Sequence, residues 1–264
     1  KYMRRYEPKT RYRVSSSQEQ ILLCVLKYRF VTSDLLVDVL KKDRSTIYER
    51  LSVLVDQGYL VKLYDKTYRL RQRPVIYYLA PRGIRYLKQI GIERTQLHYK
   101  NKHFTDEQID EQLLLASLAR TIRATYGTTF ALYTKYQLSL EDLYLTPPPY
   151  AKLEGNAKTV PDYLIEYFPA FHQSWKIRKR INQHIEFADE HDEYYPHLLL
   201  IAGNASTEKR IAGMTQDIYT DFEIFVTTQE RILTGKPDIW LAPVDFDEDE
   251  EMEYQGLPVT IRSL

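Results

Sequence analysis

The sequence predicts an α+β protein built from two units, and three observations lead there. Charge is divided, with 23 Lys and Arg against 9 Asp and Glu in residues 1–105 but 14 against 27 in residues 106–264. Apolar residues recur at helical spacing through the first part, and continuous apolar runs interrupted by helical segments fill the second. The length of 264 residues suits about two domains of 100–150 residues. The division of charge is hidden by a net charge of only +1. It describes a basic unit that meets a polyanion, joined to an acidic unit with another task.

Composition removes several classes. Hydrophobic residues at 44% and charged residues at 28% exclude a disordered or collagen-like chain. The single cysteine, Cys24, permits no internal disulfide and no cysteine-rich zinc site, so a reducing cytoplasm is expected. No apolar run approaches the roughly 18–20 residues that cross a bilayer, and residues 1–14 lack an apolar signal core, so no membrane partner is expected. Nine glycines are about half the usual share of roughly 7%, which disfavours glycine-rich phosphate loops. Gly235-Lys236-Pro237 lacks the upstream glycine and the hydroxyl residue of a Walker loop.

Residues 1–14 form a basic, tyrosine-spotted arm. Ser15 to Ser17 then offer N-cap oxygens for a helix whose stripe is Ile21, Leu22, Val25 and Leu26. Thr32 or Ser33 can cap a second helix with Leu35, Leu36, Val39 and Leu40 on its apolar side. A third begins near Ser45, buries Ile47, Leu51, Leu54 and Val55, and stops at Gly58, the residue type most tolerant of a left-handed end. Two strand-like runs, Tyr59 to Tyr64 and Val75 to Ala80, flank a connector holding Asp65 against Lys66, Arg69, Arg71 and Arg73. Pro81 starts a short helix to Ile90 that exposes Arg82, Arg85 and Lys88. Three helices and a basic two-stranded wing make a winged helix-turn-helix over residues 15–105.

Such a unit places its last helix in the major groove, N-terminal residues foremost. With Ile47, Leu51 and Leu54 turned inward, the outward set is Arg44, Ser45, Thr46, Tyr48, Glu49, Arg50 and Ser52. Arg44 and Arg50 suit guanine edges or phosphates, and Ser45 and Thr46 suit phosphate at the helix N-terminus. Lys66, Arg69, Arg71 and Arg73 suit a wing on the backbone or in the minor groove, with Arg82 and Arg85 as further contacts. The alternative is a solvated helix face, or a winged helix that contacts only protein; an excess of fourteen positive charges argues for double-stranded DNA.

The acidic part opens with a linking helix, residues 106–127, apolar at Ile109, Leu113, Leu114, Leu118 and Ile122 and suited to a hinge or a homodimer contact. A mixed α/β domain is expected over residues 128–243. Strands are predicted at Phe130 to Leu138, Val160 to Phe168, Gln183 to Ala188, His197 to Ala202, Phe222 to Thr227 and Ile239 to Pro243, and a helix at Thr207 to Tyr219. Pro147 to Pro149 open an irregular loop running to Thr159. Residues 244–264 read as a disordered acidic tail: Asp245, Asp247 and Asp249 mimic a calcium loop, but Glu250 stands at its glycine and Gly256 at its bidentate glutamate.

Pro161-Asp162, with Glu186 twenty-four residues later, resembles the restriction-endonuclease-like PD-(D/E)xK superfamily. That resemblance implies Asp162 and Glu186 on adjacent strands holding Mg²⁺, with a lysine two positions beyond the glutamate to position water. Ala188 stands there instead, so the core is expected to be an inactive scaffold and the Mg²⁺-dependent nuclease is the alternative. The dense cluster His184, Glu186, Asp189, Glu190, His191, Asp192 and Glu193 matches no zinc spacing and reads as a solvated loop. Trp175 with Lys176, Arg178, Lys179 and Arg180 is a local basic-aromatic cluster, read equally as a phosphate contact or a solvated turn.

Taken in order, "RSTIYERLSVLVDQGYL", "YYLAPRGIRYL", the long helix and the Pro-Asp…Glu sheet resemble the plasmid replication-relaxation family from Ser15 to about Pro243. The resemblance implies a DNA-binding accessory protein of a plasmid or other mobile element, with a relaxase or replication initiator as protein partner. A winged-helix transcription regulator, whose acidic half dimerises or binds a ligand, is the third class.

Overall fold

The computed structural model of the chain describes residues 14–64, 72–92, 104–138, 145–190, 195–243 and 252–259. Its first unit starts with α1 (Ser16–Tyr28), closed by a capping box in which Ser15 Oγ accepts from Gln18 N–H and Gln18 Oε1 accepts from Ser15 N–H at 2.9 Å. A short strand β1 (Val31–Thr32) leads into α2 (Ser33–Leu40), capped by the Thr32 hydroxyl. After a tight turn comes α3 (Arg44–Asp56), whose Ile47, Leu51 and Leu54 are fully buried. Gly58, at φ +72°, turns the chain in the left-handed conformation expected of it. β2 (Leu60–Leu63) and β3 (Ile76–Leu79) pair antiparallel, Leu60 opposite Leu79, and β1 adds to β3 to give the order β1-β3-β2. α4 (Pro81–Gln89) follows with Pro81 in its first turn. This is a winged helix-turn-helix.

The second unit opens with α5 (Asp106–Tyr126), its N-terminus held by a Thr105–Gln108 capping box. A five-stranded sheet follows in the order β4-β5-β6-β7-β8: β4 (Phe130–Thr134), β5 (Ala151–Gly155), β6 (Tyr163–Phe168), β7 (His197–Ala202) and β8 (Ile224–Thr228). β4, β5 and β6 pair antiparallel, while β6, β7 and β8 run parallel. The parallel strands are connected by α6 (Ser174–Glu190) and α7 (Ala205–Thr215), and α8 (Gln229–Leu233) follows β8. Strand alternation divides the layers. Leu164, Phe168, Leu198 and Leu200 pack with Ile177 and Ile181 of α6 and Ile211 of α7. Tyr163, Ile165, Leu199 and Ile201 pack toward Leu115, Leu118 and Ile122 of α5 and Ile232 of α8.

α5 is not a free hinge. Its buried side chains from Leu115 to Tyr126 belong to the same apolar core as Ile21, Leu36 and Leu51 of the winged helix, and Ile109 packs with Phe30 and Ile76. Polar contacts close that seam: Lys27 Nζ donates to Leu132 O at 2.6 Å, Thr134 Oγ1 donates to Lys27 O at 2.5 Å, and Arg29 reaches the Tyr136 hydroxyl at 3.1 Å. Burial, then Arg123, pushes the Lys27 ammonium down to about 8, and burial pushes the neighbouring Cys24 thiol up to about 11.

Four further expectations fail, the first being the strand at Ile239 to Pro243, where only Trp240 and Leu241 form isolated bridges. Residues 183–188 are not a strand but the last turns of α6, because the buried set Ile177, Ile181 and His184 follows helical spacing over the whole segment. The loop from Pro147 to Thr159 contains β5, an interior strand. The acidic tail is built into the fold over residues 252–259: Trp240 and Gln255 form a β-bridge, Leu257 is buried, and Tyr254 donates to Glu208 at 3.2 Å.

Candidate nucleic-acid interface

Asp43 fixes the start of α3. Its backbone is extended, one carboxylate oxygen accepts from Thr46 N–H at 2.8 Å and from Ser45 Oγ at 2.6 Å, and the other accepts from Thr46 Oγ1 at 2.6 Å. These hydroxyl and backbone donors hold the carboxyl well below the usual carboxylate range. Ser45 and Thr46, expected as phosphate ligands, therefore spend their hydroxyl protons inside the chain. Asp43 occupies the helix N-terminus that a phosphate was expected to fill.

The solvent side of α3 is otherwise open. Arg44, Ser45, Tyr48, Glu49 and Ser52 are exposed. Arg44 ion-pairs with Asp34 of α2 at 2.7 Å, the two side chains 65% and 64% exposed. Tyr48, 45% exposed, accepts a hydrogen bond from Ser33 Oγ at 3.1 Å, so its ring is oriented rather than loose. Arg50 departs from expectation. It lies one helical step from the buried Ile47 and Leu54, is half-buried, and its Nε is enclosed without a hydrogen bond among the described residues.

Lys66, Arg69 and Arg71 lie outside the described residues. Arg73, at the foot of the wing, is turned away from a DNA role. Only 14% exposed, it pairs with Asp106 of α5 at 2.8 Å and with Asp110. Arg82 donates to Gln57 O at 2.7 Å just beyond α3 and stacks over Tyr59 at 4.6 Å, a cation on the negative end of that helix. Arg85 is exposed. The acidic partners Asp34, Asp43, Asp106 and Asp110 were missed by sequence reasoning. Only Asp43 carried a signal, as a capping residue directly before the helix.

The carboxylates proposed for Mg²⁺ do not fit a metal. Asp162 is committed to Lys152 Nζ at 3.3 Å and to Gly155 N–H at 3.0 Å. Glu186 is an exposed residue of α6 rather than a strand neighbour. Among the described residues no cluster of three His, Cys, Asp or Glu is placed to hold a metal. His184 is buried instead, hydrogen-bonded to Glu166 at 2.9 Å and Tyr195 at 2.6 Å, with Arg180 on the same Glu166 oxygen at 2.6 Å.

Three solved structures of protein–DNA complexes are similar to part of this chain. A mutant MarR from E. coli complexed with operator DNA is 21% identical over 39% of this chain and 72% of that one, with a TM-score of 0.27. ZitR from Lactococcus lactis in complex with DNA is 20% identical over 45% and 82%, TM-score 0.27. A MarR family transcriptional regulator from Listeria monocytogenes, complexed with a 26mer DNA, is 20% identical over 44% and 77%, TM-score 0.27. No family model matches the chain, and none of the curated proteins matches it. At such similarity the neighbours carry nothing about this chain's ligand, which must be argued from its own residues. No helix among the described residues is long and apolar enough to cross a membrane.

Proposed function

We propose that this chain binds double-stranded DNA, laying α3 in the major groove with the wing beside it. The supporting observation is the open face of α3: Arg44, Ser45, Tyr48, Glu49 and Ser52 are exposed while Ile47, Leu51 and Leu54 on the opposite face are fully buried. A helix held this firmly at both ends costs little to order on binding. Arg44 is the first candidate for a guanine edge or phosphate, and Tyr48 for a base or sugar contact. Lys66, Arg69 and Arg71 remain phosphate contacts on sequence grounds; Arg73 becomes a structural pin.

The finer role, an accessory protein in plasmid replication, relaxation or mobilisation with a relaxase or initiator as partner, rests on the sequence resemblance alone. The acidic domain then serves as scaffold, since Asp162 is held by Lys152 and Gly155 and Glu186 stands on a helix rather than on a neighbouring strand. One experiment tests both levels. Duplexes selected from a random pool are footprinted and then measured by anisotropy with Arg44→Ala and with Lys66→Ala/Arg69→Ala/Arg71→Ala. Arg44→Ala should relax base preference at a cost of roughly 1–3 kcal/mol. The wing triple variant should weaken all duplexes alike and flatten the salt dependence. Undiminished binding by both variants overturns the interface. Protection at a promoter instead of an origin or transfer locus selects the regulator.

A further inference from the structure

The acidic domain carries a surface of the opposite character. Phe171, 97% exposed, stands on the turn between β6 and α6, and Trp175, 61% exposed, lies in the first turn of α6. Lys176 sits over the Trp175 ring at 5.5 Å, and exposed Arg178 and Lys179 fall three and four residues beyond Trp175, on the same helical face. The helix buries Ile177, Ile181 and His184 on its other side. Arg180, the fourth cation of the run, is taken by Glu166 and Pro147 O.

Two features set this surface apart from an ordinary solvated helix. α6 has no acid in its first turn and no base in its last, and its acids Glu186, Asp189 and Glu190 sit at the far end. Lys176 in the first turn and Asp189 and Glu190 in the last oppose the helix dipole, so an anion at the cationic end would improve the arrangement. The turn below Phe171 is also rigidly seated. Gly203 N–H donates to Phe168 O at 2.8 Å, Thr207 Oγ1 donates to Ala170 O at 2.9 Å, and a Cβ on Gly203 would lie 2.3 Å from Ala170 N. An apolar ring is thus held in water on a fixed base, at the carboxyl edge of the parallel strands, where open α/β sheets place their ligands.

We infer that Phe171, Trp175, Lys176, Arg178 and Lys179 form a second nucleic-acid site, one that takes an unpaired strand. Two exposed rings followed along the chain by three exposed cations offer stacking faces to bases and charge to phosphates. A duplex offers the phosphates but keeps its bases stacked, leaving both rings unused. A lipid surface fits less well, because the apolar face that would insert is already buried against the sheet. α3 need not touch DNA for this to hold.

The full chain is titrated with a fluorescent single-stranded deoxythymidine oligomer and, separately, with a duplex. Trp240 is fully buried, so quenching of tryptophan emission reports Trp175. The parent should bind the single strand with quenching. Phe171→Ala/Trp175→Ala should lose at least tenfold, since one stacked base corresponds to about 5- to 150-fold. Lys176→Gln/Arg178→Gln/Lys179→Gln should lower the salt slope by about 2, the value for three phosphates on a single strand. Trp175→Phe should restore most of the affinity, and duplex binding should not change in any of these variants. Loss of duplex binding by Arg44→Ala with single-strand binding intact separates the two sites. Single-strand affinity unchanged in both patch variants overturns the inference. So does binding of phosphatidylserine vesicles, abolished by the same variants, in the absence of oligomer binding.

Discussion

In the proposed complex DNA must displace the carboxylate that holds Arg44, and that gives a measurable consequence. Asp34 and Arg44 are in contact at 2.7 Å, yet each is about two-thirds exposed. Ion pairs in that setting contribute about 0–1 kcal/mol, so a phosphate or a guanine edge can outcompete Asp34 at small cost. Asp34→Asn should release Arg44 and raise duplex affinity by up to about fivefold, the equivalent of 1 kcal/mol. The salt slope should steepen by up to about 0.9, the value for one more neutralised phosphate. Asp34 also stands in the first turn of α2, so its removal should cost the fold roughly 0.3–1 kcal/mol, too little to unfold the domain. Anisotropy titrations at several salt concentrations, for the parent, Asp34→Asn, Arg44→Ala and the double variant, complete a cycle. The gain from Asp34→Asn should vanish once Arg44 is absent. An equal gain in both backgrounds would mean that Asp34 acts only by repelling DNA. No gain in either would remove the start of α3 from the interface.

Glu166→Gln should destabilise the chain by about 3 kcal/mol, toward the low end for breaking a buried pair, because Arg180 keeps Pro147 O and Gln183; urea unfolding checks it, and a loss under about 1 kcal/mol would refute the buried network. Burial holds the imidazoles of His172, His184 and His197 below their ordinary 6.5, so the unfolded chain takes up protons first. Stability is therefore full above about pH 6.5 and falls as pH drops toward the folded-state values; a Tm at pH 5.5 equal to that at pH 7.5 would contradict this. The protein should not cut plasmid DNA in Mg²⁺ or Mn²⁺, and cleavage abolished by Asp162→Ala/Glu186→Ala would restore the nuclease.

Most of the winged helix was legible because its signals are local. Caps at Ser15 and Thr32, a helical stripe in each segment, Gly58 and Pro81 each mark one boundary, and all stand where expected. The sheet domain was less legible because two of its elements depend on distant partners. β5 reads Ala-Lys-Leu-Glu-Gly, and Lys152 looks like a solvent residue until Asp162 is brought beside it. The last turns of α6 show Ile185 and Phe187 alternating with polar residues, a strand pattern over six residues that the 17-residue helix overrides. On α3, five of the seven residues read as outward are exposed, but Thr46 and Arg50 are half-buried, and the reading was blind to the acids. Helical spacing tells which residues face water, not that Arg73 has turned to Asp106 and Asp110.

The same ion pairs bear on how an acidic domain accompanies a winged helix proposed to bind DNA. Arg73 fastens the foot of the wing to the first turns of α5, whose far end is anchored by Tyr126 between Pro237 O and Trp240 Nε1. A flexible joint would let the acidic surface swing onto the basic wing and compete with DNA. The shared core through Leu115, Leu118 and Ile122, together with the Lys27–Leu132 and Thr134–Lys27 hydrogen bonds, removes that freedom. Rigidity at the seam thus fixes which surfaces the chain offers to a nucleic acid bound as proposed.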